Sequence, residues 1–383
     1  MPGPQGVTPT QFRDLSWIRG AMQTAIALEH STMPLYSAAM YSLEVQNYPS
    51  YNSIRSVLME EMLHMAAACN ILAALGGRPG IADLEPRFPR AGLPGQVAPD
   101  LRVVLAPLSV RQLKTFMRIE APEFLLAKRE LATAYPTIGR FYQAIKDAVA
   151  KNATAVRAAV RDGGPANQVG GNLGYRTIVP RDGVDPVDEI LEALDMIMEQ
   201  GEGEPARGIG TSSTFQNEES HYGRFAELRY GARYQQVSEP VAVTAETEEQ
   251  FFRGEPIAWP VVINTLAVPS DHYGAVLSED PNAPAVEKEL DAFDAAYTAM
   301  MTALHQAWNG PVERSWPSLG EAVVQMNEMR VLSCFNILRH QVPPAAVARL
   351  AELYPAEYRL LAEFTDLDRP VFYGPRFVNQ AAR

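Results

Sequence analysis

Glu61 and His64 stand three residues apart inside EEMLHMAAACNILAALGG (residues 60–77), an alanine-rich stretch whose apolar residues recur at helical spacing. On a helix, positions i and i+3 share a face, so both side chains can reach one metal ion. His64 falls in an apolar stripe of Met62, Leu63, Met65, Ala68, Ile71 and Leu72, which places the pair toward a core. A buried carboxylate beside an imidazole is costly unless something positive neutralises it. The chain has a second Glu-x-x-His, Glu218/His221. With six histidines in the chain, about half of one such match is expected by chance. A surface ion pair or a satisfied core histidine is the competing reading of either motif taken alone.

The flanking periodicity supplies partners. A helical pattern runs from Ser16 to about Gln46, interrupted by Pro34, which is expected to kink it one turn beyond Glu29. A second helix runs from about Ser50 to Leu75 and stops at Gly76-Gly77. If the two form an antiparallel hairpin, residues equidistant from the turn face each other, and the midpoint between Glu29 and Glu61/His64 falls at Gln46-Asn47. Glu29, with Ala25, Leu28 and Thr32 on its face, therefore stands opposite the pair. In the second half, the midpoint between Glu199 and Glu218/His221 falls near Ile209, and Glu202 in place of Glu199 moves it to Thr211. Either glutamate serves. Glu120, in RIEAPE, is a further candidate on a helix that begins near Ser109 and breaks at Pro122. One Glu from each of two helices and a Glu-x-x-His from each of two others is the ligand scheme of four-helix dimetal carboxylate proteins. Such a donor set suits iron, two ions, or manganese. Tyr36, Tyr222 and Gln200 lie within a turn of these ligands and are candidates for hydrogen bonds to them or for a proton.

The rest of the pattern is helical with loops between. Residues 78–107 are rich in Pro and Gly and read as a long crossover. One helix is expected from Thr137 to about Arg161. Residues 163–186 read as a lid or wall, and 188–202 as a helix. Ser213 with Gln216 forms a capping box for a helix running to about Tyr230. The composition changes near Ser238, giving two expected regions: 1–237 as the metal-binding bundle and 238–383 as a mainly helical region packed on it. In that second region PVVINTLAV reads as extended, and helices are expected at about 286–308, 318–340 and 344–364.

Bulk properties exclude several function classes. Of 383 residues, 45 are acidic and 33 basic, a formal net charge of −12 without a Lys/Arg cluster, which disfavours nucleic acid and anionic membranes as partners. Cys69 and Cys334 are the only cysteines, too few and too far apart for a thiolate cluster. No secretory pattern opens the chain, and no apolar run reads as a membrane span, so the expectation is a soluble cytoplasmic protein.

Five blocks in order, ALEHSTMPLYSAAMYSL, EEMLHMAAACNILAALGG, LSVRQLKTFMRIEAPEF, IMEQGEGEP and SHYGRFAEL, resemble the ferritin-like domain of the iminophenyl-pyruvate dimer synthase family over about residues 15–232. A looser likeness surrounds YTAMMTALHQAWNG. The family includes the violacein-pathway enzyme that couples two aromatic imines oxidatively. The resemblance implies an all-α, ferritin-like four-helix bundle and a metal at Glu29, Glu61, His64, the QGEG segment and His221. It also favours Glu120 and Glu202. The expected activity is that of a dimetal oxidase using dioxygen or peroxide on a small organic molecule, an amino-acid-derived imine being one candidate, with self-association into a homo-oligomer left open. Iron storage or detoxification in the ferritin manner, and a metal-free scaffold, are the alternatives.

Overall fold

The computed structural model describes residues 13–45, 49–128, 130–163, 168–170, 177–178, 183–203, 219–235, 244 and 246–382. Two long helices, α1 (Leu15–Tyr41) and α2 (Pro49–Ala74), pack along each other as the backbone of the fold. Asp14 starts α1 by accepting from the Trp17 N–H at 2.9 Å. α1 then runs unbroken through Pro34, where the sequence predicts an interruption. α2 ends as its sequence predicts. Gly76 adopts φ +76°, and the Gly77 and Gly76 N–H groups return to the Leu72 and Ala73 carbonyls, both at 2.9 Å.

α2 also corrects an expectation. It is long and apolar enough to cross a bilayer, contrary to the expectation that no run of the chain is, but 78% of its most apolar window is buried inside the fold. The bundle uses that surface.

The Pro/Gly-rich crossover holds a two-stranded antiparallel hairpin, β1 (Arg90–Leu93) and β2 (Val97–Val103), turning at Pro94-Gly95. Gly95 has φ +75°, and a Cβ there would lie 2.7 Å from Thr24 Cγ2 on α1, so a side chain would push the turn off the helix. α3 (Val110–Ile119) follows, capped by Ser109, whose hydroxyl accepts from the Gln112 N–H at 3.0 Å. The single helix expected from Thr137 is two, α4 (Ile138–Lys151) and α5 (Ala153–Gly163), divided at Asn152. The Asn152 amide donates to the Ala148 and Arg13 carbonyls at 2.8 and 2.7 Å, ending α4 and tying it to the start of α1. α6 (Pro186–Glu202) and α7 (His221–Tyr230) complete this part. α4 packs on α1 and α6, α7 on α2, α3 and α6. The Ser213/Gln216 capping box, the expected boundary at Ser238 and most of the lid segment lie outside the described residues.

Beyond them come α8 (Gly274–Leu277), α9 (Ala283–Asn309), α10 (Ser315–Val331), α11 (Pro344–Leu353) and α12 (Pro355–Leu361). PVVINTLAV forms no strand; Val262 and Thr265 make isolated bridges to Leu43 and Phe372. One continuous apolar cluster runs from Ile18 on α1 to Phe377 near the C-terminal end. α9 reaches α1 through Tyr297, whose hydroxyl lies 2.8 Å from His30 Nε2, both residues buried.

That contact gives a pH dependence. Burial lowers the His30 pKa to about 4, against 6.5 for an ordinary histidine. Between these values the unfolded chain binds a proton that the folded chain does not, so stability falls as pH drops. Between pH 7 and pH 5 the loss from this group is about 2 kcal/mol. Urea unfolding at both pH values should show it, and His30→Gln, which still accepts from Tyr297, should remove that share.

Candidate metal centre

Two faces meet between the long helices and the shorter ones. Glu29 and Thr32 on α1 face Glu61 and His64 on α2, as the hairpin arithmetic requires. His64 Nδ1 lies 3.5 Å from Glu61 Oε1 and 3.7 Å from Glu29 Oε2. Thr32 Oγ1 donates to Glu61 Oε2 at 2.5 Å. From the other side come the two helix ends. Glu120 caps the C-terminus of α3, where Ala121-Pro122 ends the helix, and His221 is the first residue of α7, behind the N-cap Ser220. His221 Nδ1 lies 2.9 Å from Glu61 Oε1 and 3.6 Å from Glu120 Oε2. The imidazoles of His64 and His221 stack, centroids 5.3 Å apart. Glu29, Glu61, Glu120, His64 and His221 are all at most 3% exposed.

Both histidines turn Nδ1 inward and hold Nε2 on a partner outside the cluster. His64 Nε2 lies 2.7 Å from Gln200 Oε1, on α6. His221 Nε2 lies 2.9 Å from Glu60 Oε2, and Arg224 grips that carboxylate at 2.8 and 3.0 Å. An acceptor at Nε2 fixes the proton there and leaves the Nδ1 lone pair for a cation. The carboxylates are oriented likewise. Tyr142 on α4 donates to Glu29 Oε1, and Tyr36 on α1 donates to Glu120 Oε1. The Tyr36 ring is held between Phe116 and Phe225, centroids 4.7 and 5.0 Å away.

The electrostatics follow from three carboxylates in an apolar interior. Burial raises Glu29 to about 7, with the Glu61 charge adding to it and His64 opposing. For Glu61 burial also acts upward, but His221 and His64 outweigh it and hold the carboxyl below its usual range. Burial works against a charged His64, yet Glu29 and Glu61 prevail and push it up to about 10. His221 moves up for the same reason, through Glu120, Glu60 and Glu61. For Glu60, burial is overcome by His221 and Arg224, which hold it at about 2. Burial and the nearby carboxylates keep the Tyr36 and Tyr142 phenols protonated.

The donor set fits a metal. Ligand atoms of Glu61, His64 and His221 lie within 4.8 Å of one another, and Glu29 and Glu120 flank them. His221 Nδ1 is buried, 2.9 Å from Glu61 Oε1 and 3.6 Å from Glu120 Oε2, without the alignment of a hydrogen bond to either. Donor atoms that converge from several helices on one buried point are arranged as ligands of a common ion are. Oxygen and imidazole donors without thiolate suit iron or manganese.

Other expected residues sit elsewhere. Glu218 lies outside the described residues, so among those described only the first Glu-x-x-His is present as a helical pair. Glu202 caps α4: its Oε1 accepts from the Gly139 N–H at 2.7 Å, and burial raises its carboxyl to about 7. That oxygen is thereby engaged by α4, while the Glu120 charge adds to the rise. Glu199 is half-buried, and the residue of this helix end that reaches the imidazoles is Gln200, at the head of QGEG. The Tyr222 hydroxyl donates to Glu248, where Tyr230 and Arg229 also bind, so it does not serve the cluster as expected.

Residues 22–230 match the model of the Ferritin-like family, more than half of the chain. Among solved structures, a ferritin-like protein from Caulobacter vibrioides aligns with a TM-score of 0.56 at 24% identity, covering 83% of this chain and 94% of that one. That likeness concerns the fold, and it extends past residue 230 into the C-terminal helices. No curated protein matches. A mostly helical fold, a buried set of carboxylates and imidazoles between its helices, and a family match spanning them agree: the chain belongs to the Ferritin-like family.

Proposed function

We propose that the cluster holds two metal ions, iron in the first instance, and that the protein is an oxidase acting on a small organic molecule with dioxygen or peroxide. The single observation that carries the reading is the convergence of the buried His221 Nδ1 with Glu61, Glu120 and His64. Glu29, Glu61, Glu120, His64 and His221 would hold the ions, and manganese fits the same donors. Bound iron would supply the exchange of two electrons between substrate and oxidant.

The chain's own part is positional. Gln200 Oε1 and Glu60 Oε2 hold the Nε2 protons of the two imidazoles and so set which nitrogen faces inward. Tyr36 and Tyr142 keep their hydroxyl protons on Glu120 and Glu29, which steadies the carboxylates while leaving each one oxygen turned toward the histidines. Burial of every member excludes bulk water and strengthens each of these interactions.

The likeness to the iminophenyl-pyruvate dimer synthase family supports amino-acid-derived imines and amines as the substrate class. The test is to load the protein anaerobically with ferrous iron, then follow dioxygen or peroxide consumption with a panel of such compounds. Substrate-dependent turnover, absent from Glu61→Ala, is the expected result. Uptake of far more iron than two per chain, with oxidant consumed only in proportion to iron, would replace this reading with storage.

A further inference from the structure

A cavity lies along the α1–α2 pair, beside the face that carries the carboxylates. Its volume is about 320 Å³, and α1, α2, α9 and α10 all contribute to its walls. The register shows how one helix pair serves both sites. On α1, Glu29, Thr32 and Tyr36 face the cluster, and the residue after each one, His30, Met33 and Ser37, lines the cavity. On α2, Met62 and Met65 follow Glu61 and His64 in the same way. One residue is about 100° of helix rotation, so the two stripes adjoin without merging.

The lining is chemically biased. Eight of the chain's fourteen methionines border this space, Met300 and Met326 among them. Thioether side chains are unbranched and adapt their shape to an occupant. Two buried polar groups of the wall, His30 and Tyr297, satisfy each other at 2.8 Å. Arg55 and Arg330 also line it, and among the described residues no Asp or Glu does, in a protein whose net charge is −12. Met59 and Val323 are 43% and 49% exposed, which places an opening between α2 and α10, on the side where Arg55 is exposed too.

We propose that this cavity binds a small apolar carboxylate, an alkyl or aromatic acid whose hydrocarbon part lies among the methionines and whose carboxylate meets Arg55 at the opening. The volume is within the range of small-molecule sites, and a predominantly apolar wall with a few charged groups is their usual chemistry. Guanidinium groups pair with carboxylates through two parallel hydrogen bonds, which a neutral head group cannot match. The site is separate from the metal cluster, so it stands or falls independently of the oxidase reading.

The probes are decanoate and decanol, equal in chain length and different in charge. Calorimetry on the full chain should show saturable one-to-one binding, with decanoate at least tenfold tighter. Emission from Trp308, which lines the cavity and is 2% exposed, should change in step. Arg55→Gln should abolish the preference for decanoate and leave decanol unchanged. Ala66→Phe, which fills the cavity, should weaken both ligands at least tenfold. Should Ala66→Phe not fold, Met326→Trp at the half-buried side of the lining does the same. Absence of saturable binding, equal affinity for the two probes, or undiminished binding by the filled variant would each overturn the proposal.

Discussion

His64→Ala/His221→Ala is expected to lose the metal completely: about two ions per chain in the wild type after growth with iron and manganese, and fewer than about 0.2 in the variant, by elemental analysis. The two imidazoles supply the nitrogen donors of the cluster, and each is placed by a separate device, Gln200 on α6 and the Glu60–Arg224 pair. Removing one leaves the other correctly turned, so single variants should keep part of the metal. Removing both leaves Glu29, Glu61 and Glu120 facing one another in an apolar interior without a counter-charge. Stripping the partner from a buried charge costs about 3–5 kcal/mol, so the double variant should also melt well below the metal-loaded wild type. A wild type that takes up neither iron nor manganese would sink the metal reading outright, and the two imidazoles would then be counter-ions only.

Helix geometry decides which of these residues could be read from the sequence. Glu29, Glu61 and His64 were legible because a hairpin of two long helices makes distance from the turn a direct measure of who faces whom. Glu120 was legible as a glutamate just before a helix-ending proline. The second half resisted that arithmetic. α6 and α7 are short, and the stretch of sequence between Gly203 and Glu219 is too long for a tight turn that would fix a register. Counting therefore could not choose between Glu199 and Glu202, and Gln200, the hydrogen-bond candidate between them, is the one that reaches His64. Glu202 goes to the N–H of Gly139, a demand set by α4 and invisible from α6 alone. Tyr222 adjoins His221 in sequence, yet one residue is about 100° of rotation and turns it toward Glu248.

Two contributors were missed for similar reasons. Tyr142 reads as one more residue on the apolar face of TIGRFYQAIKDAV, and its tie to Glu29 spans 113 positions. Glu60 reads as the exposed neighbour of Glu61, although a doubled glutamate on a metal-facing helix turn was a usable signal. The β1–β2 hairpin also had a mark, Pro94-Gly95 between extended segments, obscured by the many other prolines around it.

Asn70→Ala is expected to be the most damaging single substitution outside the cluster. Asn70 sits on α2, 1% exposed, and its amide holds two other parts of the fold. Nδ2 donates to the Val169 carbonyl at 2.6 Å, while Oδ1 accepts from the Val169 N–H at 3.0 Å and from Trp308 Nε1 at 2.9 Å. Val169 and Trp308 are 3% and 2% exposed, so water cannot replace what alanine removes. Each orphaned group costs about 1–3 kcal/mol, so three of them together cost about 3–9 kcal/mol, a large share of the roughly 5–15 kcal/mol that typically holds a fold together. Urea unfolding followed by fluorescence measures the loss, and Trp308→Phe, which removes only one of the two hydrogen bonds that Asn70 Oδ1 accepts, should cost far less. A loss below about 1 kcal/mol for Asn70→Ala would mean that the segment around Val169 is not held by this residue. Metal content of the folded fraction adds a second readout. Asn70 lies nearly two turns beyond His64, so a variant that is less stable but still binds two ions would show that α2 is positioned at the cluster by its own ligand contacts. Loss of both would mean that the anchoring of α2 by Val169 and Trp308 is what brings Glu61 and His64 to their place.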